Sequence, residues 1–178
     1  MIYKFRMISS DDKAFLRDFE VNSDSTFLDF HNFIQKNLSY DPHMLASFFL
    51  TDEHWNKGME LTLIDMENDA GPAAIPMDSV KINDLIKHKK ERLLYVFDIF
   101  SDRAFFLELF ETHQPETGKK YPACSACIGE PPVQTELEDI KYTADTLDDD
   151  LLNEISNDIG FDDDFSSDSF QEGDYIDE

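Results

Sequence analysis

Residues 25–38, "STFLDFHNFIQKNL", carry the most regular helical pattern in the chain. The apolar side chains that recur at spacings of three and four, and so share one helical face, are Phe27, Phe30, Ile34 and Leu38. Ser25 or Thr26 can accept the free amide groups of the first helical turn. Because burying four side chains does not offset the entropy lost on ordering the segment, this helix needs a sheet beneath it.

The sheet begins with two segments on the N-terminal side of the helix. Residues 2–8 and 15–21 alternate apolar and polar side chains with the two-residue period of a β-strand. The polar stretch "SSDDK" between them is typical of a tight turn. The pattern predicts a hairpin whose apolar face shares a core with the helix.

Further strands and a short helix follow the first helix. The sequence predicts strands at 45–51, 59–65, 92–100 and 104–111, a Gly/Pro loop over 68–77, and a short helix over 79–86 capped by Asp78 or Ser79. This order favours an α+β fold. We expect a mixed β-sheet roll, β-grasp-like, with one main helix packed across it and a short second helix.

Charge divides the chain into two parts. Residues 136–178 contain 17 acidic residues and one lysine, whereas the whole chain has a net charge of -24. We therefore predict one domain over 1–135 and an acidic, mostly disordered tail over 136–178. Apolar residues at helical spacing predict one amphipathic helix near 146–159 in that tail. Such an acidic surface repels a polyanion, so direct nucleic-acid binding is not expected.

The apolar runs are too short for a signal peptide or a membrane span, so the sequence predicts a cytoplasmic protein without membrane contact. The two cysteines cannot form a disulfide framework. In a reducing compartment a close pair is expected to be free thiols, metal ligands or a redox couple.

The two cysteines, Cys124 and Cys127, lie three residues apart in "KYPACSACIGEPP". A zinc site takes four ligands, so this pair would need a supplement, with His113 as the nearest candidate and His54, His88 or another chain as the others. A redox pair gains its low thiol pKa from a helix N-terminus, but the following glycine and prolines favour an extended loop. We expect small, partly buried residues that attach this loop to the sheet, and no metal or cofactor.

Asp98, in "YVFDIF", is the candidate for acid–base chemistry, because a carboxylate on a buried strand can have a raised pKa. Local spacing places no second carboxylate, histidine or nucleophile beside it. The simpler interpretation is an aspartate that accepts hydrogen bonds from a loop or faces solvent at a sheet edge. His43 is expected to cap or pack at the start of a strand. Signatures of nucleotide binding, acyl transfer and zinc peptidases are absent from the sequence, so we predict no catalytic residues.

The dense basic cluster of the chain is "KHKK", residues 87–90. It is expected to be a solvated turn, although it could also dock the acidic tail or an acidic partner. Tail autoinhibition is therefore a hypothesis. The aromatic and acidic residues of the tail are typical either of segments that fold on a partner or of solubilising tails.

Three segments resemble the plasmid pRiA4b ORF-3-like family, in particular its divergent branch in Bacteroidetes: "HMLASFFL", "RLLYVFDIFSDRAFFLEL" and the "YP...C...GEPP" loop. The resemblance spans roughly residues 3–134 and depends mainly on the order of these motifs. It implies a compact α+β domain, an association with plasmids and mobile elements, and no settled activity.

The chain departs from the family pattern at residues 95–105. The typical family motif in this segment runs Tyr, any, Tyr, Asp, Phe, Gly, Asp, any, Trp, any, His. Tyr95 and Asp98 match. The positions of the glycine, the second aspartate, the tryptophan and the histidine are occupied by Phe100, Ser101, Arg103 and Phe105. Val133 and Gln134 stand where acidic residues follow the family's prolines.

These observations favour a non-enzymatic protein-interaction module from a bacterium. Its acidic tail would supply partner contacts or solubility, and its partner would be another protein. The alternative is a small enzyme or metal-dependent regulator of plasmid or mobile-element functions that uses Cys124, Cys127 or Asp98. An enzyme should have a pocket with convergent polar groups, whereas an interaction module should expose an apolar patch or a free sheet edge.

Overall fold

The structure is a computed structural model that describes residues 1–63 and 74–135. Within these ranges the chain forms eight strands and two helices in the following order: β1 (Ile2–Ser9), β2 (Leu16–Asn22), α1 (Phe27–Leu38), β3 (Ser47–Thr51), β4 (Lys57–Thr62), β5 (Ile75–Pro76), α2 (Ile82–Leu85), β6 (Arg92–Asp98), β7 (Arg103–His113) and β8 (Ala123–Ile128).

All the described strands belong to one sheet with the order β5-β4-β3-β6-β7-β1-β2-β8. Neighbouring strands are antiparallel except for β4 and β5, which are parallel. A mixed sheet with two helices confirms the predicted α+β fold. The predicted hairpin of β1 and β2 is also confirmed, with Phe5 opposite Phe19.

Helix α1 covers one face of this sheet, as the spacing of its apolar residues predicts. Thr26 is its N-cap: the Thr26 hydroxyl accepts from the Asp29 amide, and the Asp29 carboxylate accepts from the Thr26 amide, each at 3.0 Å. The Phe30 ring lies 5.2 Å from that of Phe5 in β1 and 5.7 Å from that of Phe48 in β3. The helix is therefore stabilised by strands from both halves of the sheet.

A buried hydrogen-bond chain joins α1 to the central strand β6. The Gln35 side-chain amide donates to the Tyr95 hydroxyl at 2.5 Å, and that hydroxyl lies 2.8 Å from His31 Nδ1. The three side chains are almost completely buried. Because the Tyr95 oxygen accepts a hydrogen bond from Gln35, its own hydroxyl hydrogen is free to point at His31 Nδ1.

The structure corrects four local predictions. The short helix starts later than expected, with Lys81 as its N-cap in place of Asp78 or Ser79. The strand predicted over 92–100 ends at Asp98, where the chain turns. Two residues of the expected Gly/Pro loop, Ile75 and Pro76, form β5. The segment with the cysteines is an edge strand, β8, and not an extended loop.

Two expectations concern other parts of the chain. Neither α1 nor α2 has the length and apolar character needed to cross a membrane. The tail predicted over 136–178, with its helix near 146–159, lies outside the described residues.

Candidate functional site

Cys124 and Cys127 lie on the edge strand β8 and are joined by a disulfide. Residues three apart on a regular strand point to opposite faces. Here the register with β2 is interrupted, because Asp18 pairs with Ala126 and Phe19 with Cys124, which leaves Ser125 as an extra residue. In this state neither sulfur is a thiolate, which is the form that binds zinc or attacks a substrate.

Strand β8 is attached to the rest of the sheet by Arg17 of β2 as well as by its ladder. The Arg17 guanidinium donates to the carbonyl oxygens of Ile128 at 2.6 Å and Gly129 at 3.0 Å. Gly129 has a positive φ of 69° and passes close to the backbone of Ala14. Arg17 and Gly129 therefore fix the point where the chain leaves the sheet.

Asp98 is the last residue of β6 and is buried. Its Oδ1 accepts from the backbone amides of Phe100 and Ser101, both at 3.2 Å. The carboxylate thus closes the turn between β6 and β7, which is the hydrogen-bonding role expected for a lone strand aspartate. Asp98 and His43 line one cavity of about 150 Å³, whose other lining residues are apolar.

An apolar patch lies beside this turn, at Leu45, Ile99 and Phe100. We call it the Phe100 patch. The Phe100 residue is 92% exposed, Leu45 49% and Ile99 45%. Leu45 and Ile99 line both the cavity of about 150 Å³ and a second cavity of about 230 Å³, which also contains Ala46 and Leu63. Large exposed apolar side chains grouped around cavities are typical of interaction surfaces.

The turn that carries Phe100 is held in place from two sides. On one side are the two hydrogen bonds to Asp98. On the other, the Lys57 ammonium of β4 lies 2.5 Å from the Asp102 carboxylate. Phe100 is therefore presented by a turn with a defined geometry, which reduces the entropy that a partner would have to remove on binding.

The "GEPP" segment that follows β8 packs against the chain after α1. The Tyr40 hydroxyl donates to the Pro132 carbonyl at 2.5 Å. Gln134 accepts from the Asp41 amide at 2.7 Å and donates to the Asp41 carbonyl at 3.1 Å. A carboxylate at this position could not donate the second hydrogen bond. Gln134 therefore has a structural role in this chain.

A charged cluster brings together Glu20 of β2, His113 at the end of β7, and Glu116 and Lys119 of the following segment. Burial by itself raises the pKa of the Glu20 carboxyl, but the Lys119 ammonium, the Ser125 hydroxyl and Lys4 together hold that pKa below its ordinary value. The Lys119 ammonium lies 2.6 Å from Glu20 Oε2, and His113 Nε2 lies 3.7 Å from the same oxygen.

Sequence reasoning found Asp98 and the cysteines but neither the Phe100 patch nor the charged cluster. The sequence predicts a strand over 92–100 that includes Phe100. The signal against this is Asp98, since an aspartate can accept from the amides two and three residues later and so favours a turn. The charged cluster leaves no local signal, because the sheet order β7-β1-β2 joins residues that are far apart in sequence.

The comparisons with known proteins agree with this fold. The family model for plasmid pRiA4b ORF-3-like protein matches residues 2–153. A crystal structure of a protein of unknown function from Methanosarcina mazei Go1 is similar, with a TM-score of 0.59 and 21% sequence identity over 71% of this chain and 68% of that one. No curated protein matches the sequence. At this identity the archaeal structure supports the fold alone, whereas the family match covers most of the sequence: the chain belongs to the plasmid pRiA4b ORF-3-like family.

Proposed function

We propose that the chain is a cytoplasmic, non-enzymatic protein-interaction module that binds its partner through the Phe100 patch. The observation that carries this proposal is the 92% exposure of Phe100 on a turn held by Asp98 and Asp102. Leaving a phenylalanine in water forgoes about 1.5–3 kcal/mol of burial free energy. Aromatic residues in this situation are frequent anchors of protein–protein interfaces.

The chemistry of the patch indicates the kind of partner. The cavity of about 230 Å³ beside Ile99 is lined mainly by aliphatic carbon, with Glu60 and Thr62 as its larger polar residues. Such a cavity accepts one apolar side chain of the partner. Phe100 would then pack against the partner residues that flank this side chain. The partner is therefore a protein segment with at least one exposed apolar side chain.

The acidic tail supports a second role in the same module. Its 17 acidic residues and interspersed phenylalanines favour contact with a basic surface of the partner, or solubility of the complex. Capture of the partner by the chain with and without residues 136–178 separates these roles, because a solubilising tail would leave capture unchanged.

The alternative of a small enzyme would use the cavity shared by Asp98 and His43. The Asp98 Oδ1 atom already accepts hydrogen bonds from the backbone amides of Phe100 and Ser101. This commitment to the turn favours a structural carboxylate over a general base.

Affinity capture from the source bacterium tests the proposal. The bait is the full chain, and the informative variant is Phe100→Ser. Met59→Ser is the matched control, since Met59 is also an apolar residue, 45% exposed, and lies on β4 outside both cavities. We expect proteins retained by the wild type and by Met59→Ser to be lost with Phe100→Ser. Equal retention by all three baits would refute the proposed role of the patch.

A further inference from the structure

Three side chains from two distant parts of the sequence converge on one point beside β1. Glu20 is on β2, His113 is the last residue of β7, and Glu116 follows three residues later. One ligand atom from each, a carboxylate oxygen or an imidazole nitrogen, lies within 4.8 Å of the other two. Two carboxylates and one imidazole at this spacing are a donor set suited to a divalent transition metal.

The imidazole of His113 is oriented as a metal ligand would be. Its Nδ1 lies 2.8 Å from the Gln114 carbonyl oxygen, which can only accept a hydrogen bond. In the neutral ring Nδ1 therefore carries the proton, which leaves the lone pair on Nε2, 3.7 Å from Glu20 Oε2. A backbone carbonyl that fixes the tautomer in this way is a common partner of metal-binding histidines.

The position between these groups already attracts a cation. The Lys119 ammonium lies 2.6 Å from Glu20 Oε2 and 3.6 Å from Glu116 Oε1. The Glu20 side chain is only 4% exposed, so its charge requires a nearby positive charge. The Lys119 side chain is 32% exposed and flexible, so it can move out to solvent when another cation takes its place.

We propose that Glu20, His113 and Glu116 form a binding site for one divalent transition-metal ion of the zinc class, in competition with the ammonium group of Lys119. The three protein ligands leave one position of a tetrahedral ion for water or for a group of a bound molecule. The single charge of Lys119 offsets part of the charge of the two carboxylates when the metal is absent. The disulfide of Cys124 and Cys127 takes no part in this site.

The competition makes the proposal testable with zinc alone as the probe. We would titrate the full oxidised chain with Zn²⁺ against a chromophoric chelator. We expect one site per chain, bound at least tenfold more tightly in Lys119→Met, because the competing ammonium is removed. We expect Glu116→Gln and His113→Gln to weaken binding at least tenfold, because each removes one ligand atom.

Two controls separate this site from other sources of zinc binding. His54→Gln alters an exposed histidine that lies 3.5 Å from Glu53 and so removes a comparable His–Glu pair from the surface. Cys124→Ser/Cys127→Ser removes both sulfur atoms of the disulfide. Both the histidine control and the cysteine double variant should leave the zinc affinity unchanged. The cobalt complex of the wild type should lack a thiolate charge-transfer band. Circular dichroism confirms that each variant is folded.

Three results would overturn the proposal. One is the absence of a stoichiometric site in both the wild type and Lys119→Met. Another is an affinity that the folded His113→Gln and Glu116→Gln variants leave unchanged, as expected if the acidic tail binds the ion. The third is loss of binding in the cysteine double variant.

Discussion

His31 shows how burial determines the chemistry of a single residue. It lies on the buried face of α1, 1% exposed, with Nδ1 2.8 Å from the Tyr95 hydroxyl. Burial lowers the pKa of His31 from 6.5 to about 4. At neutral pH the ring is therefore uncharged, and its Nδ1 accepts a hydrogen bond from the Tyr95 hydroxyl. The residue acts as a neutral acceptor in the core.

This lowered pKa makes the free energy of unfolding depend on pH. Between pH 6.5 and 4 the unfolded chain binds a proton at His31 that the folded chain does not, so stability falls as the pH falls through this window. We expect a loss of about 1 kcal/mol between pH 7.5 and 5.5, measured by urea unfolding. His31→Asn keeps an acceptor but does not titrate, and should lose this part of the slope. If the unfolding free energies of the wild type and His31→Asn depended on pH in the same way, His31 would not be the source of this pH dependence.

Gly129, within the "GEPP" segment, is held close to another part of the backbone. Its φ is 69°, and a Cβ atom placed on it would lie 2.8 Å from the Ala14 carbonyl oxygen. Real Cβ atoms do not approach so closely, so Gly129→Ala requires the backbone to move as well as to accept a left-handed conformation. We expect this variant to lose at least about 2 kcal/mol of stability in urea unfolding.

Gly118 provides the matched control for this substitution. Its φ is 86°, but nothing lies within 4 Å of the corresponding Cβ position. Gly118→Ala should therefore cost only the backbone strain, about 1 kcal/mol. Equal losses for the two variants would show that the contact with Ala14 is not tight.

At the scale of elements, the β6–β7 hairpin connects the fold to the proposed interface. Asp98 ends β6, and its two hydrogen bonds to the Phe100 and Ser101 amides determine where Phe100 points. Asp98→Ala leaves both amides without this partner, so we expect it to lose about 1–3 kcal/mol of stability. Asp98→Asn retains the accepting oxygen and should lose less than about 1 kcal/mol. Chemical denaturation of the two variants and the wild type measures both losses of stability.

Partner binding distinguishes a structural Asp98 from a catalytic one. A structural carboxylate predicts that Asp98→Asn retains partner binding, whereas Asp98→Ala weakens it because the turn loosens. A general base would lose its function in both variants, since an amide cannot accept the proton. Loss of function in a fully stable Asp98→Asn protein would therefore favour the enzyme alternative.

The helices and strands also show which elements can be predicted from local sequence patterns without knowledge of the tertiary structure. Strands β1 and β2 and helix α1 were predicted because their apolar residues alternate or recur at helical spacing, and one sheet face buries them. Strand β8 was missed because its six residues include only one large aliphatic side chain, Ile128, and two alanines. It forms because β2 offers a ladder, which is a tertiary effect.

At the scale of the whole molecule, the order of the strands creates both sites. The Phe100 patch combines the segment before β3 with the turn after β6, and these two strands are neighbours in the sheet. The charged cluster combines β2 with the end of β7, on either side of β1. Neither combination follows from local spacing, because only the long-range pairing brings the residues together. The sequence thus predicts the α+β class and the main helix but not the position of either site.

The dissociation constant of the captured partner tests the central claim, binding through the Phe100 patch, most directly. Isothermal titration calorimetry at fixed ionic strength should give a Kd at least about 30-fold higher for Phe100→Ser than for the wild type, which corresponds to about 2 kcal/mol. Met59→Ser should remain within about twofold of the wild type. A folded Phe100→Ser protein that binds the partner as tightly as the wild type would contradict the account.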